Sequence, residues 1–256
     1  MMIKAATERL NNLGAGMEPA RNRQMTAHAV ELDRGGDPSR LGEIATRLSG
    51  RWKLGLRAEI TRYGLLRDLA HNFQAPGAKI PLAVRPLADR DLPALFGHAG
   101  AASELAERLE VAWRRAFIEK GARGGFVTID ERTATPCYVQ WLLSPRDNAF
   151  IEKIGGFPPL ADGEALLENA YTPPAYRGLG VMAAAMAQIA ERARDFGARK
   201  VLTFVATDNI ASLKGCQRAG FHPHLLHRRT RLGFGLITRD RFETLPEGDP
   251  RRSMKF

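Results

Sequence analysis

The chain has 256 residues, 44% of them hydrophobic, enough for one sizeable core with an extension or for two small domains. Its formal charge is +10, which raises nucleic acid or an acidic surface as a partner. The excess sits at the ends: residues 1–80 carry 13 basic and 8 acidic side chains, 223–256 carry 8 and 4, and the stretch between is near neutral. A basic stripe across the best-organised region is therefore excluded, which argues against nucleic-acid binding as the main function.

Cys137 and Cys216 stand far apart in no paired motif, against a disulfide framework or Cys-ligated metal and in keeping with a reducing cytoplasm. The first residues lack the apolar run of a secretory signal, and no apolar run approaches a membrane span. A soluble cytoplasmic protein is expected.

Residues 1–50 show no sustained period, and Gly35-Gly-Asp-Pro38 breaks them, so 1–79 reads as a partly flexible, basic extension. Residues 57–69 fit a strand pair or an amphipathic helix, and Gln74–Lys79 reads as a linker. Leu82–Leu87 is a strand, followed by a helix capped by Asp89 and running to Phe96. Residues 101–120 form a longer helix ended by Gly121, with Leu105, Leu109, Trp113 and Phe117 as a core stripe. Gly125–Asp130 and Cys137–Leu143 pair as a hairpin in which Tyr138 and Trp141 are core.

A loop containing Gly155-Gly-Phe-Pro-Pro159 leads to a strand at 164–172, a turn, and a helix at 179–196 closed by Gly197. Lys200–Ala206 is a nearly continuous apolar strand, as in the middle of a sheet. Asp208 or Asn209 caps a helix to Ala219, and two more strands fit within 221–238. The order predicts an α/β domain, a mixed, mostly antiparallel sheet flanked by helices, over 80–245, with a basic tail at 246–256.

The turn Arg177-Gly-Leu-Gly180 opens an Ala-rich helix. Unpaired N–H groups at that helix start, two glycines without Cβ and one arginine together make a grip for a pyrophosphate. A P-loop would need Lys and Ser or Thr after the second glycine. A dinucleotide fingerprint would need three glycines after a first strand. Neither is present. The bland alternative is a tight strand-to-helix turn.

Downstream stands Asn209-Ile-Ala-Ser212-Leu-Lys-Gly-Cys216-Gln-Arg-Ala-Gly220-Phe221. Strand, Arg-x-x-Gly turn, helix, strand, then Asn-x-x-Ser helix and Gly-Phe together resemble the GNAT superfamily of acyl-CoA-dependent N-acyltransferases. Val84-Arg-Pro-Leu-Ala-Asp-Arg-Asp-Leu-Pro-Ala-Leu95 is similar to that family's opening strand and helix, and the resemblance covers about 80–240. Met182 departs from it, standing where a small residue is usual.

The resemblance implies that the N–H groups of Gly178, Leu179, Gly180, Val181 and Met182, with Arg177 at the head of the turn, bind the pyrophosphate of acetyl-CoA or another acyl-CoA. It implies that the strand at 164–172 splays from 200–206, so that the pantetheine arm pairs near Ala170, Tyr171 and Thr172, with Asn209 and Ser212 facing the coenzyme. An amine of pKa near 10 must lose a proton before it attacks a thioester. Glu168, ahead of Glu164, is the candidate base, and a backbone N–H at Tyr171 or Thr172 the candidate oxyanion donor. Cys216 stands where the family often has a tyrosine acid.

The expected activity is acetyl transfer to a primary amine of a small molecule by direct attack in a ternary complex. Alternatives are a protein or aminoacyl-tRNA amine, a longer acyl donor, and a non-catalytic acyl-CoA-binding or nucleic-acid-binding module. The acceptor pocket would come from 96–120 and 222–240. No metal is expected: His222, His224 and His227 cluster without an acidic or Cys partner nearby in sequence. A monomer or homodimer is expected.

Overall fold

The computed structural model describes residues 57–100, 104–233 and 236–256. The expected extension before residue 57, with its Gly35–Pro38 breaker, and the start of the helix expected at 101 lie outside them. The chain divides into two compact units. One comprises 61–228 with 240–256 and carries the sheet interior and the candidate site. The other includes 57–60, 229–233 and 236–239, with the described ends of three strands.

Eight strands form one sheet: β1 (Arg57–Asp68), β2 (Leu82–Pro86), β3 (Gly125–Asp130), β4 (Thr135–Leu143), β5 (Glu164–Tyr171), β6 (Lys200–Ala206), β7 (His222–Leu232) and β8 (Ile237–Thr244). Their order is β2-β3-β4-β5-β6-β1-β7-β8. The helices are α1 (Leu92–Phe96), α2 (Leu105–Glu119), α3 (Asn148–Ile154), α4 (Val181–Glu191) and α5 (Ile210–Arg218). Pairing is antiparallel from β2 to β5 and between β1 and β6; β5 and β6 run parallel.

The ambiguous stretch at 57–69 is thus a strand, and one inside the region read as an extension, with Arg62–Asp68 paired to Ala206–Lys200 near the sheet's middle. Gly64 is needed there: a Cβ would come within 2.5 Å of Leu225 and 3.0 Å of Phe204. The expected basic tail is also docked, since the Gln217 side chain bonds the Met254 carbonyl and the Phe256 N–H at 2.9 and 3.2 Å.

Strand alternation splits the core into two layers. Tyr138 and Leu142 of β4, Leu167 of β5 and Val201 and Val205 of β6 face α4 and α5, with Ala185, Ile189, Leu213 and Phe221. Val139, Trp141, Leu143, Leu166, Leu202 and Phe204 face the other way, with Phe96, Val111, Phe117 and Ile151 of α1–α3. Tyr138 and Trp141 are core as expected, at 0% and 1% exposure.

Two local expectations are corrected. The carboxylate that organises the first helical turn is Asp91 rather than Asp89: it accepts the Ala88 N–H and both Arg85 Nη groups at 2.6–2.9 Å. The apolar stripe of α2 is not core. Leu105, Leu109 and Trp113 are 62%, 53% and 64% exposed, and only Phe117 is buried. Strict four-residue spacing drifts about 40° per step at 3.6 residues per turn, so those three residues wander away from the face that Phe117 shares with the sheet. Val111 and Phe117 flank the inward face, and Glu107 and Arg114 fall between them on the helix circumference.

Candidate active site

β5 and β6 pair only at Glu164↔Lys200, Ala165↔Val201 and Leu166↔Leu202. Beyond that they part. The cause lies in β5, where the register to β4 slips between Val139↔Tyr171 and Trp141↔Glu168, two residues on β5 facing one on β4. Asn169 occupies the bulge in the left-handed region, φ +60°, a conformation asparagine tolerates better than most residues. The bulge shifts the alternation by one, so Ala170 packs with the layer of Leu167 and Tyr171 with that of Leu166.

A cavity of about 170 Å³ fills the split. Glu168, Asn169 and Ala170 of β5 line it with Gln140, Thr203–Ala206, Met182 and Met186 of α4, Asn209, Ser212 and Cys216 at α5, and Trp113 and Arg114 of α2. In a regular strand Glu168 and Asn169 would point to opposite faces; the bulge gives both to one cavity.

Burial pushes the Glu168 carboxyl up to about 7, against the opposing pull of Arg62, the Asn169 N–H and Arg114. A carboxylate poised there can take a proton near neutral pH. Cys216 is buried in the same wall and its thiol is pushed up to about 12, first by burial and then by Glu168. Glu164 is elsewhere: its carboxylate accepts the Ala161 N–H at 3.0 Å and lines a separate, larger cavity of about 760 Å³ at the paired end of the strands. The structure does not bring the two candidate bases together.

The Arg177–Met182 turn stands ahead of α4. Gly178 and Gly180 have φ +79° and +78°, and Gly180 is the N-cap. The first intrahelical bond is Ala184 N–H to Gly180 O, so the N–H groups just after the cap have no helical acceptor. A Cβ on Gly178 would meet nothing within 4 Å, so the space before the turn is open. These features fit a pyrophosphate bound through backbone N–H groups.

Arg177 is committed differently from the expectation that it grips the anion. It donates to Glu107 Oε2 at 2.8 Å and to the Thr172 carbonyl at 3.0 Å. Glu107 also accepts from the Tyr171 hydroxyl, which lies 2.9 Å from His98 Nε2. Burial alone would raise the Glu107 carboxyl; the bonds from Tyr171, Arg177 and His98 hold it below its ordinary value. The Tyr171 side chain therefore ties β5 to α2, and its own hydroxyl is pushed up by burial and by Glu107. Arg114 donates to the Ala170 carbonyl at 2.9 Å, fixing the strand edge near which the pantetheine arm is expected to pair.

Asn209 is the N-cap of α5, accepting the Ser212 N–H at 3.2 Å. Met182, the misfit of the motif, is accommodated by Gly215 across the α4–α5 contact: a Cβ on Gly215 would lie 2.9 Å from Met182 Sδ.

The three histidines do not converge. His222 and His224 share one face, with His224 3.0 Å from Arg252 Nη2, while His227 is buried on the other between Arg62 Nε and Asp240 Oδ1 at 3.0 and 2.6 Å. Among the described residues no group of three or more His, Cys, Asp or Glu side chains is placed to hold a metal, and no helix is long and apolar enough to cross a membrane.

Sequence reasoning missed Asn169, Gln140, Glu107 and Arg114. Only the last two left a trace, as charges on the one face of α2 that an amphipathic reading would have to make apolar.

Residues 100–221 match the model of the acetyltransferase (GNAT) family. The chain carries a GNAT acetyltransferase domain. This is a family of acyltransferases that use acetyl-CoA as co-substrate. Among solved structures the chain is similar to a Drosophila protein at 13% identity, covering 77% of this chain and 57% of that one, with a TM-score of 0.45. It is similar to a GCN5-related N-acetyltransferase from Sphaerobacter thermophilus at 14% identity, covering 73% and 56%, TM-score 0.42. It is also similar to the ribosomal-protein-S18-alanine N-acetyltransferase from Escherichia coli at 15% identity, covering 57% and 81%, TM-score 0.38. The chain spans little more than half the length of the first two. No curated protein matches it.

Proposed function

We propose that this GNAT domain moves an acetyl group from acetyl-CoA to a primary amine of a small molecule by direct attack in a ternary complex. The observation that carries the reading is the split between β5 and β6: a cavity holding a carboxyl poised near pH 7, beside a helix N-terminus open to an anion. The coenzyme pyrophosphate would lie on the N–H groups from Gly178 to Met182, its arm running along Ala170–Thr172 past Asn209 and Ser212.

In the reaction the acceptor enters as an ammonium and gives a proton to Glu168, directly or through water. The free amine attacks the thioester carbon; the C–N bond forms and the carbonyl electrons move to oxygen, where a backbone N–H at Tyr171 or Thr172 would stabilise them. The intermediate then collapses, the C–S bond breaks, and coenzyme A leaves as a thiolate that recovers a proton while the amide nitrogen loses its second one. Cys216, with its pKa pushed up to about 12, is a poor proton donor to that thiolate, whose own low basicity makes a dedicated acid unnecessary. A space of about 170 Å³ beside Met182 suits acetyl better than a long acyl chain.

Calorimetry with acetyl-CoA, followed by thiol-release assays over a panel of small primary amines, tests the reading. Micromolar binding with amine-dependent thiol release is expected. Tight binding with no release on any amine would leave a non-catalytic binding module. Release only with a protein or aminoacyl-tRNA would transfer the function to that acceptor class.

A further inference from the structure

Among the described residues five buried side-chain nitrogen or oxygen atoms have no hydrogen-bond partner, and three of them belong to two residues of the cavity in the split: Asn169 Oδ1, Asn169 Nδ2 and Arg114 Nε. Asn169 is 6% exposed. Buried amides are nearly always satisfied in folded proteins, so one whose donor and acceptor are both unused points to a ligand. The backbone needs no amide there, since at φ +60° glycine would be more comfortable. Arg114 is anchored through its other nitrogens, to Glu110 Oε2 at 2.6 Å and to the Ala170 carbonyl at 2.9 Å. Its Nε–H is therefore a fixed donor.

Together these residues offer one acceptor and two donors, on the side of the cavity where Glu168, the next residue in the chain, would take the proton. An acceptor molecule that satisfies them has an N–H for Asn169 Oδ1 and a nearby oxygen for Asn169 Nδ2 and Arg114 Nε. An α-amino carbonyl compound has both on adjacent carbons. We infer that Asn169 is a specificity-determining residue that selects an amine bearing a neighbouring carbonyl oxygen, as in an amino acid or its amide. The inference rests on the acetyl-transfer reading above and adds the class of acceptor.

The test compares leucinamide with 3-methylbutylamine, which has the same side chain and lacks the carbonyl. Because the two amines differ in basicity, the quantity to read is the change in their kcat/KM ratio between wild type and Asn169→Gly at one pH. Glycine suits the backbone at this position. The ratio is expected to fall about 10- to 100-fold, because the loss on leucinamide exceeds any loss on 3-methylbutylamine by that factor. The acetyl-CoA Kd and the thermal midpoint should hold. Asn169→Asp keeps the shape and loses the donor, and should lower the ratio in the same direction if the glycine variant proves unstable.

An unchanged ratio, an equal loss on both amines, or weakened acetyl-CoA binding overturns the inference while leaving acetyl transfer to small amines standing. If wild type binds acetyl-CoA but acetylates neither amine nor any other small amine, the small-amine reading fails and the inference falls with it.

Discussion

The two ends of the β5–β6 pair differ in nearly everything except chain. At the Glu164 end the strands are zipped, and Glu164 spends its carboxylate on the turn at Ala161 beside the larger cavity. At the Glu168 end they are parted, and burial of the carboxylate in the split pushes it up to about 7. Four residues of one strand separate a carboxylate bonded to a turn from one buried in the split. The two carboxylates differ because Glu168 is buried in the split, next to the bulge at Asn169, while Glu164 sits where β5 and β6 are still paired.

The largest expected effect tests whether the parted end faces a donor site at all. Gly180→Glu places a negative side chain at an N-cap with φ +78°, and should weaken acetyl-CoA binding by at least about 100-fold, or ~3 kcal/mol. The far-UV spectrum should hold. Unchanged affinity by calorimetry would sink the donor assignment.

Next comes the contrast itself. Glu168→Gln should lower kcat at pH 7 by about 100-fold and abolish a rate that rises with pH through about 7, whereas Glu164→Gln should stay within about 2-fold. Equal losses in the two variants would erase the distinction between the ends. Stability gives an independent reading. The folded-state pKa of Glu168 is raised from 4.5 to about 7, so its contribution is present below pH 4.5 and is lost as pH rises through about 7. A permanently neutral glutamine avoids that loss. The thermal midpoint of Glu168→Gln should therefore gain on wild type between pH 5 and pH 8; a constant gap would show a carboxyl that titrates normally.

A smaller effect concerns what holds the parted end in shape. Tyr171→Phe removes one bond to Glu107 and should cost about 1–2 kcal/mol, a few degrees in thermal midpoint, by differential scanning calorimetry. The smallest is Gly215→Ala, which trades better helix propensity against the contact with Met182 Sδ. Near-neutral stability is expected, with a modest drop in kcat/KM as Met182 is pushed toward the cavity. An unaltered rate would show that Met182 does not limit the space.

Much of this was legible in the chain. The Arg177–Gly180 turn, the buried strand at 200–206 and the Asn209 cap are local signals, carried by positive-φ glycines, continuous apolar residues and a side chain that bonds its own helix. What was not legible depends on partners distant in sequence. The stretch around Gly64 could not declare itself a strand, because its glycine answers to Leu225 and Phe204. The α2 stripe misled because the face turned inward carries Glu107 and Arg114, whose partners Arg177, Tyr171 and Ala170 lie more than fifty residues away. Asn169 gave no sign, since a bulge is a property of two strands and not of one.

The exchange of size between Met182 and Gly215 is a coupling between two helices. With an alanine at 215, Met182 Sδ would lie 2.9 Å from the new Cβ, and because that sulfur is near the far end of a flexible side chain, the methionine moves and the helices stay. The motif's departure at 182 is thus half of a pair, and a double-mutant cycle across the two positions would measure that epistasis directly.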